Sequence, residues 1–323
     1  MVRIFITITI VLCSGIKILA QEFCASNSSF PWEWPSHNNW FFGNGQLASF
    51  DGGFSITNIG SSFTSYEGTL AASDDKGNLL FFSNGVKLWD ASGTQKYADL
   101  KVGKGGGTSS SAVVGDIVVK HPLNPDVFYV FTGDDAIEST NGLKYFEVDA
   151  GGNVLSGPTY LSNSSTTEGL AATKHANGVD VWLMSQKSGS NKFYAYQITC
   201  EGVQPTPVIS SNAPNWTGDA ERGGMAFSVD GTKFAVGHNE GSWPGAANAL
   251  IVYSFDKSTG SLDNKLSVAA VAGAWGPTNI RDKDVYDVCF SPDGSKIYYS
   301  TNGGKIGHYD LSSWNQSDIN ASW

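Results

Sequence analysis

The sequence predicts an all-β fold: a β-propeller of four-stranded blades around a central channel. Three observations point there. A polar turn rich in Asp, Asn, Gly and Lys, followed by a short apolar strand, recurs five times along the chain. Glycine fills 38 of the 323 positions, as many tight strand-to-strand turns require. Beyond the N-terminus no helix-length amphipathic stretch stands out, which disfavours alternating strands and helices.

The chain opens on Arg3, then the apolar run Ile4 to Cys13, then Ala20 before Gln21. That order reads as a signal peptide over residues 1–20. The run is shorter than the roughly 20 residues a bilayer span needs, and no other long apolar run follows. We therefore expect no transmembrane segment in the mature chain. Residues 21–37 form an N-terminal lead-in, and 38–323 form the propeller, which reads as incomplete.

The recurring turn and strand appear as SDDKGNLLFFSNG from Ser73, KHPLNPDVFYVFTG from Lys120 and KHANGVDVWLMSQ from Lys174. They return as SVDGTKFAVGHN from Ser228 and SPDGSKIYYSTN from Ser291. Their starts lie about 47, 54, 54 and 63 residues apart, against roughly 40–50 for a blade, so loops lengthen some repeats. Small apolar strands precede four of the turns: TLAA at Thr69, LAAT at Leu170, MAF at Met225 and VCF at Val288. Alternating strands follow: VKLWD at Val86, LKYFEVD at Leu143, KFYAYQ at Lys192, LIVYSFD at Leu250 and IGHYD at Ile306. Small residues suit strands crowded at the channel. Continuous apolar runs suit strands covered on both faces, and alternation suits a half-solvated outer strand. Asp230-Gly231 and Asp293-Gly294 supply hairpin turns. About five blades are visible. The isolated strand Asn38 to Gly43 is expected to close the ring by completing the last blade, and SDINASW at the C-terminus to start an outer strand or a linker.

The net charge is −10, and only 15% of residues are charged. Such a chain repels phosphate backbones, which argues against nucleic acid as a partner. After signal removal Cys24, Cys200 and Cys289 remain, an odd number that leaves at least one thiol over. A Cys24–Cys200 disulfide is open to an exported chain. Cys289, inside Val-Cys-Phe, reads as a buried thiol.

Four acids stand just before inner strands: Glu67, Glu168, Glu221 and Asp284. A partial ring of carboxylates at a channel mouth would suit a hard cation such as calcium. Alternatively each carboxylate caps local N–H groups or pairs with Arg222 or Lys283. No other cofactor is indicated. His121 and His175 follow Lys at equivalent turns and read as surface repeat residues. The trio His238-Asn239-Glu240 and the pairs Asp134-Asp135 and Asp282 with Asp284 are candidate acid–base groups, but each lies where solvated turn residues are common. Trp32 and Trp34 in PWEWP either stack on sugars or pack the lead-in onto the ring. GKGGGTSSS from Gly103 lacks the closing Gly-Lys-Ser/Thr of a phosphate loop.

Asn38 to Gly43, EGTLAASDDKGNLLFFSNGVKLWD from Glu67, and LAATKHANGVDVWLMS from Leu170 followed by KFYAYQIT together resemble exported propeller proteins of the Bacteroidetes. The resemblance covers nearly all of the mature chain. It implies a seven-bladed propeller at the N-terminus of a larger surface protein. Such proteins often carry a C-terminal domain for type IX secretion and are associated with gliding and adhesion; no such domain is visible in this sequence. The resemblance implies no catalytic residues. The expected function is a secreted or cell-surface binding or scaffold module, acting in adhesion or surface-polymer recognition with a protein or carbohydrate partner, and not an enzyme. The alternative is a lactonase-like propeller hydrolase with a cation at the central channel.

Overall fold

The computed structural model describes residues 39–42, 45–50, 53–59, 63–65, 68–100, 116–134, 142–162, 164–215, 221–238, 250–268, 285–301 and 304–322. These residues build an all-β propeller of six small antiparallel sheets. Sheet 1 is β1 (Asn39–Phe42), β2 (Gln46–Ser49) and β3 (Ser55–Asn58). Sheet 2 is β4 (Leu70–Ser73), β5 (Leu79–Ser83), β6 (Leu88–Asp90) and β7 (Gln95–Tyr97). Sheet 3 is β8 (Asp116–Lys120), β9 (Val127–Thr132), β10 (Leu143–Asp149) and β11 (Val154–Ser162). Sheet 4 is β12 (Thr166–Lys174), β13 (Val181–Lys187) and β14 (Phe193–Thr199), with β15 (Gly202–Val203) and β16 (Val208–Ser210) both pairing with β14. Sheet 5 is β17 (Met225–Phe227), β18 (Lys233–Gly237), β19 (Leu250–Asp256) and β20 (Ser261–Val268). Sheet 6 is β21 (Val285–Phe290), β22 (Lys296–Thr301) and β23 (Ile306–Asp310). Among the described residues, no helix is long and apolar enough to cross a membrane.

The repeated turn explains itself at the atomic level. In SVDGTK the Ser228 hydroxyl donates to Asp230 Oδ1 at 2.6 Å, and the Thr232 amide donates to the same oxygen at 3.0 Å. In SPDGSK the Ser291 hydroxyl and the Ser295 amide bind Asp293 Oδ1 at the same two distances. Gly231 and Gly294 take φ of 69° and 65°, which a side chain would disfavour. Exposed Asp293 is held down to about 2, first by the Ser291 hydroxyl and then by the Ser295 amide. Elsewhere other residues close the same corner. His121 Nδ1 accepts from the Leu123 and Asn124 amides at 3.1 and 3.0 Å, and His175 Nδ1 accepts from Asn177 at 3.0 Å. Both histidines are therefore half-buried turn residues rather than surface ones.

The second strands of sheets 3, 4 and 5 are covered on both faces, as their apolar runs predict: five of six residues of β9, six of seven of β13 and four of five of β18 are buried, whereas β22 of sheet 6 alternates and leaves Tyr298 exposed. Each junction between consecutive sheets has its own apolar cluster. Phe41, Phe63, Phe82 and Trp89 join sheets 1 and 2, with Phe41 stacked on Phe82 at 4.0 Å. Phe81, Phe128 and Phe146 join sheets 2 and 3, and Phe131, Leu183 and Tyr196 join sheets 3 and 4. Met184, Phe193, Phe234 and Tyr253 join sheets 4 and 5, and Leu250, Val288, Ile297 and Tyr309 join sheets 5 and 6. Inner strands β1, β4, β8, β12, β17 and β21 each stand beside the next. Their crowding is tight: a Cβ on Gly237 would lie 2.7 Å from Val285 Cγ1, and one on Gly223 would strike the Gly237 carbonyl.

Several expectations need correction. The strand at Asn38 to Gly43 does not complete the last blade. It is β1, which pairs with β2 in a separate first sheet, so the described sheets number six and not about five. The alternating strands are third in their sheets. Outside them lie β7, β11, β15 with β16, and β20, whose weakly patterned sequences hide them; in sheet 6 IGHYD, as β23, is the outermost described strand, as expected. The C-terminal stretch forms a short helix, α1 (Gln316–Ala321), instead of a strand or linker. Asn315 caps it by accepting from the Ser317 and Asp318 amides at 2.8 and 3.3 Å, and Ile319 buries itself in the junction of sheets 5 and 6. Cys289 is exposed on the outward face of sheet 6, because strand alternation turns Val288 to the core. Cys200 is disulfide-bonded; Cys24 lies outside the described residues.

Candidate functional site

The inner strands β4, β8 and β12 stand at the edges of their sheets, so one side of each carries backbone N–H and C=O groups with no strand partner. Between them lies a cleft of about 370 Å³. Its walls are apolar: Leu70 and Ala71 from β4, Ile117 and Val118 from β8, Ala172 from β12 and Val181 from β13. Its polar groups are Thr69, Asp116, Thr173 and Lys174.

Asp116 is the first residue of β8 and only 5% exposed. Its Oδ2 accepts from the Ser83 hydroxyl at 2.8 Å, and that hydroxyl accepts from the Gly85 amide at 2.8 Å. Burial pushes the carboxyl up to about 6, only partly offset by the Ser83 hydroxyl and the Gly85 amide. Across sheet 3, Asp116 faces Thr132, Thr132 faces Lys144 and Lys144 faces Tyr160. Asp116, Thr132 and Lys144 are buried, while Tyr160 at the outer end of the row is exposed. The Thr132 hydroxyl is fully enclosed and finds no hydrogen-bond partner among the described residues, and the Lys144 ammonium lies 5.9 Å from the centre of the Tyr160 ring.

Asp116 is the functional candidate that reading the sequence missed. The signal was present: DIVVK is the small strand preceding the turn at Lys120, the one repeat to which no inner-strand acid had been assigned.

Of the four acids expected at a channel mouth, Glu67 and Asp284 lie outside the described residues. Glu168 sits inside β12 rather than before it, 1% exposed, with Arg222 Nε 3.9 Å from its Oε1. Glu221 clasps the β13–β14 turn, accepting from the Ser188 hydroxyl at 2.8 Å and the Gly189 amide at 2.7 Å. Burial raises its carboxyl, and these two donors work against the rise. Among the described residues no three His, Cys, Asp or Glu side chains converge as a metal site. Asp134 is buried and accepts from the Gly142 and Thr166 amides at 2.9 and 3.3 Å, a loop-bracing role. His238 is buried, and its carbonyl accepts from the Val285 amide at 2.9 Å. Trp32, Trp34, the segment from Gly103 to Ser111, Asp135, Asn239, Glu240 and Asp282 lie outside the described residues.

No protein-family model matches the sequence, and no curated protein sequence matches it. Among solved structures, a protein from Lactobacillus plantarum is similar at 12% identity and a TM-score of 0.49, over 82% of this chain and 73% of that one. Hydrazine synthase from Kuenenia stuttgartiensis is similar at 14% identity and a TM-score of 0.45, over 87% and 80%. The β-propeller domain of Cps50 (Swd1) from Myceliophteria thermophila is similar at 14% identity and a TM-score of 0.44, over 85% and 83%.

Proposed function

We propose that this chain is an exported, cell-surface propeller that acts as a binding module, with the channel cleft as its ligand site. The observation that carries the reading is the cleft itself: apolar walls drawn from three sheets, with a few convergent polar groups, as small-ligand sites are built. The signal-like N-terminus and the disulfide at Cys200 suit an oxidising compartment. The resemblance to Bacteroidetes surface proteins favours adhesion by way of type IX secretion, with a surface protein as the partner.

The same reading takes the described sheets as part of a seven-bladed ring. Sheet 1 turns Trp40, Phe50, Phe54 and Ile56 outward, with Trp40 58% exposed and Phe50 packed 5.7 Å from it. Sheet 6 turns Tyr298 and Ile306 outward. Among the described residues no apolar cluster joins sheet 6 to sheet 1, and a further blade would cover both faces.

Fluorescently labelled mature protein, added back to cells of its source that lack the gene, tests the reading. Saturable surface binding that Ala172→Phe abolishes, in a variant that melts as the parent does, is the expected result. Binding unchanged by a blocked cleft would overturn it. The hydrolase alternative draws on Glu168, an acid buried in an inner strand. Calcium-dependent lactone hydrolysis lost in Glu168→Gln would favour that alternative.

A further inference from the structure

Sheet 1 differs from the other five in the direction of its innermost strand. Elsewhere the strands nearest the channel run parallel to one another. Ser83, paired with Leu70 at the start of β4, donates its hydroxyl to Asp116 at the start of β8. The Asp134 amide, just past the partner of Asp116, donates to Thr166 Oγ1 at the start of β12 at 3.1 Å. A Cβ on Gly169 would meet Met225 at the start of β17, and one on Gly231, in the turn after β17, would meet Thr173 near the end of β12. The Gly224 amide, just before β17, donates to the Tyr286 carbonyl at the start of β21 at 3.0 Å. β1 runs the other way. Its first residue, Asn39, donates to Ser73 Oγ at 2.9 Å and to the Gly77 carbonyl at 2.7 Å, at the end of β4 and in the turn beyond. The carbonyl of its third residue, Phe41, accepts from the hydroxyl of Thr69, just before β4. β1 is therefore antiparallel to β4, as the second strand of a sheet would be.

The sequence agrees. WFFGNG from Trp40 matches LFFSNG from Leu80, which begins on β5, the second strand of sheet 2. Every other second strand has a first strand on its channel side: β4 for β5, β8 for β9, β12 for β13, β17 for β18 and β21 for β22. β1 pairs with β2 on one side, and among the described residues no strand lies on the other. Sheet 1 thus presents an open ladder edge where its first strand belongs. A further blade between sheets 6 and 1 would bring its own first strand and leave this place open.

The neighbours define what fits. The occupant is extended, antiparallel to β1, and small in its side chains, like Leu70-Ala71-Ala72-Ser73 and Leu170-Ala171-Ala172-Thr173 at the same place in sheets 2 and 4. Residues 21–38 do not match that pattern: Trp32 and Trp34 are bulky, and Pro31 and Pro35 lack the N–H that a ladder uses. The open edge adjoins the channel cleft, because Thr69 both lines the cleft and donates to Phe41. We infer that β1 takes up an extended, small-residue segment of a partner protein by strand addition, antiparallel to β1 and beside β4 in the channel. The inference rests on the binding-module reading above, and it names what the partner presents: a free backbone ladder with side chains of the Leu-Ala-Ala-Ser kind.

The test uses the mature protein and a fluorescent peptide with the sequence of residues 68–74, GTLAASD, followed by polarisation. Binding should be saturable and should slow hydrogen exchange in residues 39–42. Two further peptides carry N-methyl groups on alternate amides. Successive amides of a strand point to opposite sides, so one of these should bind as the parent does and the other roughly tenfold more weakly, through the loss of two or three ladder hydrogen bonds. A peptide with both alanines replaced by tryptophan should not bind. Excess parent peptide should displace the labelled protein from cells. Refusal of the peptide by the mature protein overturns the inference, as when the polypeptide fills the place itself. Equal binding of the two methylated peptides, or unaltered exchange in residues 39–42, overturns it as well. Binding that protects β1 without competing with cells overturns the assignment to the partner. If no peptide binds while Ala172→Phe still abolishes cell binding, the strand inference fails and the cleft reading stands. If the peptide protects β1 and competes with cells while Ala172→Phe leaves cell binding intact, the cleft assignment fails and the strand inference stands.

Discussion

Replacing Asp116 by asparagine should stabilise the protein at neutral pH, and the gain should vanish in acid. The folded protein holds this carboxyl up to about 6, from an ordinary 3.8. Between those values the folded state binds more protons than the unfolded state, so stability falls as pH rises through the window and stays low above it. A rise of two pH units at ~1.36 kcal/mol each amounts to about 3 kcal/mol at pH 7.5. Asparagine keeps an oxygen for the Ser83 hydroxyl and carries no charge to bury. For a chain of this size an unfolding entropy of ~2.1 cal/mol/K per residue makes that gain worth about 4 °C in Tm. Calorimetric melts of both proteins at pH 3.5, 5.5 and 7.5 read it directly. The gap should be near zero at the lowest pH and full at the highest. A gap of the same size at all three, or an asparagine variant less stable at pH 7.5, would refute the reasoning and imply that Asp116 is ionised and compensated in the fold.

Other consequences of the packing are testable in the same preparations. Gly223→Ala drives a methyl into the Gly237 carbonyl between inner strands, so a loss of about 2–4 kcal/mol is expected from urea midpoints at unchanged slope. Phe234→Ala empties the site of a ring against which Phe193 and Phe227 pack at 5.3 and 5.0 Å between ring centres, and should cost about 3–5 kcal/mol. Asp293 has a depressed folded value of about 2, so its turn contributes stability above about pH 4 that is lost as pH falls toward 2. Asp293→Asn should make acid unfolding, followed by circular dichroism, less steep over that window. Cys289 is exposed as a residue, but partial desolvation of its thiol and the Asp287 carboxylate beside it push the thiol up, so maleimide labelling should proceed without denaturant but remain slow at pH 7 and accelerate above pH 9. Labelling that needs denaturant at every pH would place a cover over the outward face of sheet 6.

The sequence by itself determined the class of fold and the local turns. SVDGTK and SPDGSK read as hairpins because Asp, Gly and Ser satisfy one another within a few residues, and the structure builds both to the same distances. The continuous apolar runs of β9 and β13 announced strands covered on both faces for the same local reason. Tertiary structure decided what depends on neighbours distant in sequence. β1 belongs to its own sheet because β2 pairs with it, and Gln46–Ser49 carries no strand signal strong enough to show that in advance. Outer strands such as β11 are mostly exposed, so no burial pattern marks them. Glu221 and Asp116 look alike as acids near small strands. Yet folding brings Ser188 and Gly189 to one as clasping donors, and places the other in the wall of a channel with Ser83 as its side-chain donor. Which donors reach which acid depends on residues some 30 positions away that only the stacked blades bring into contact.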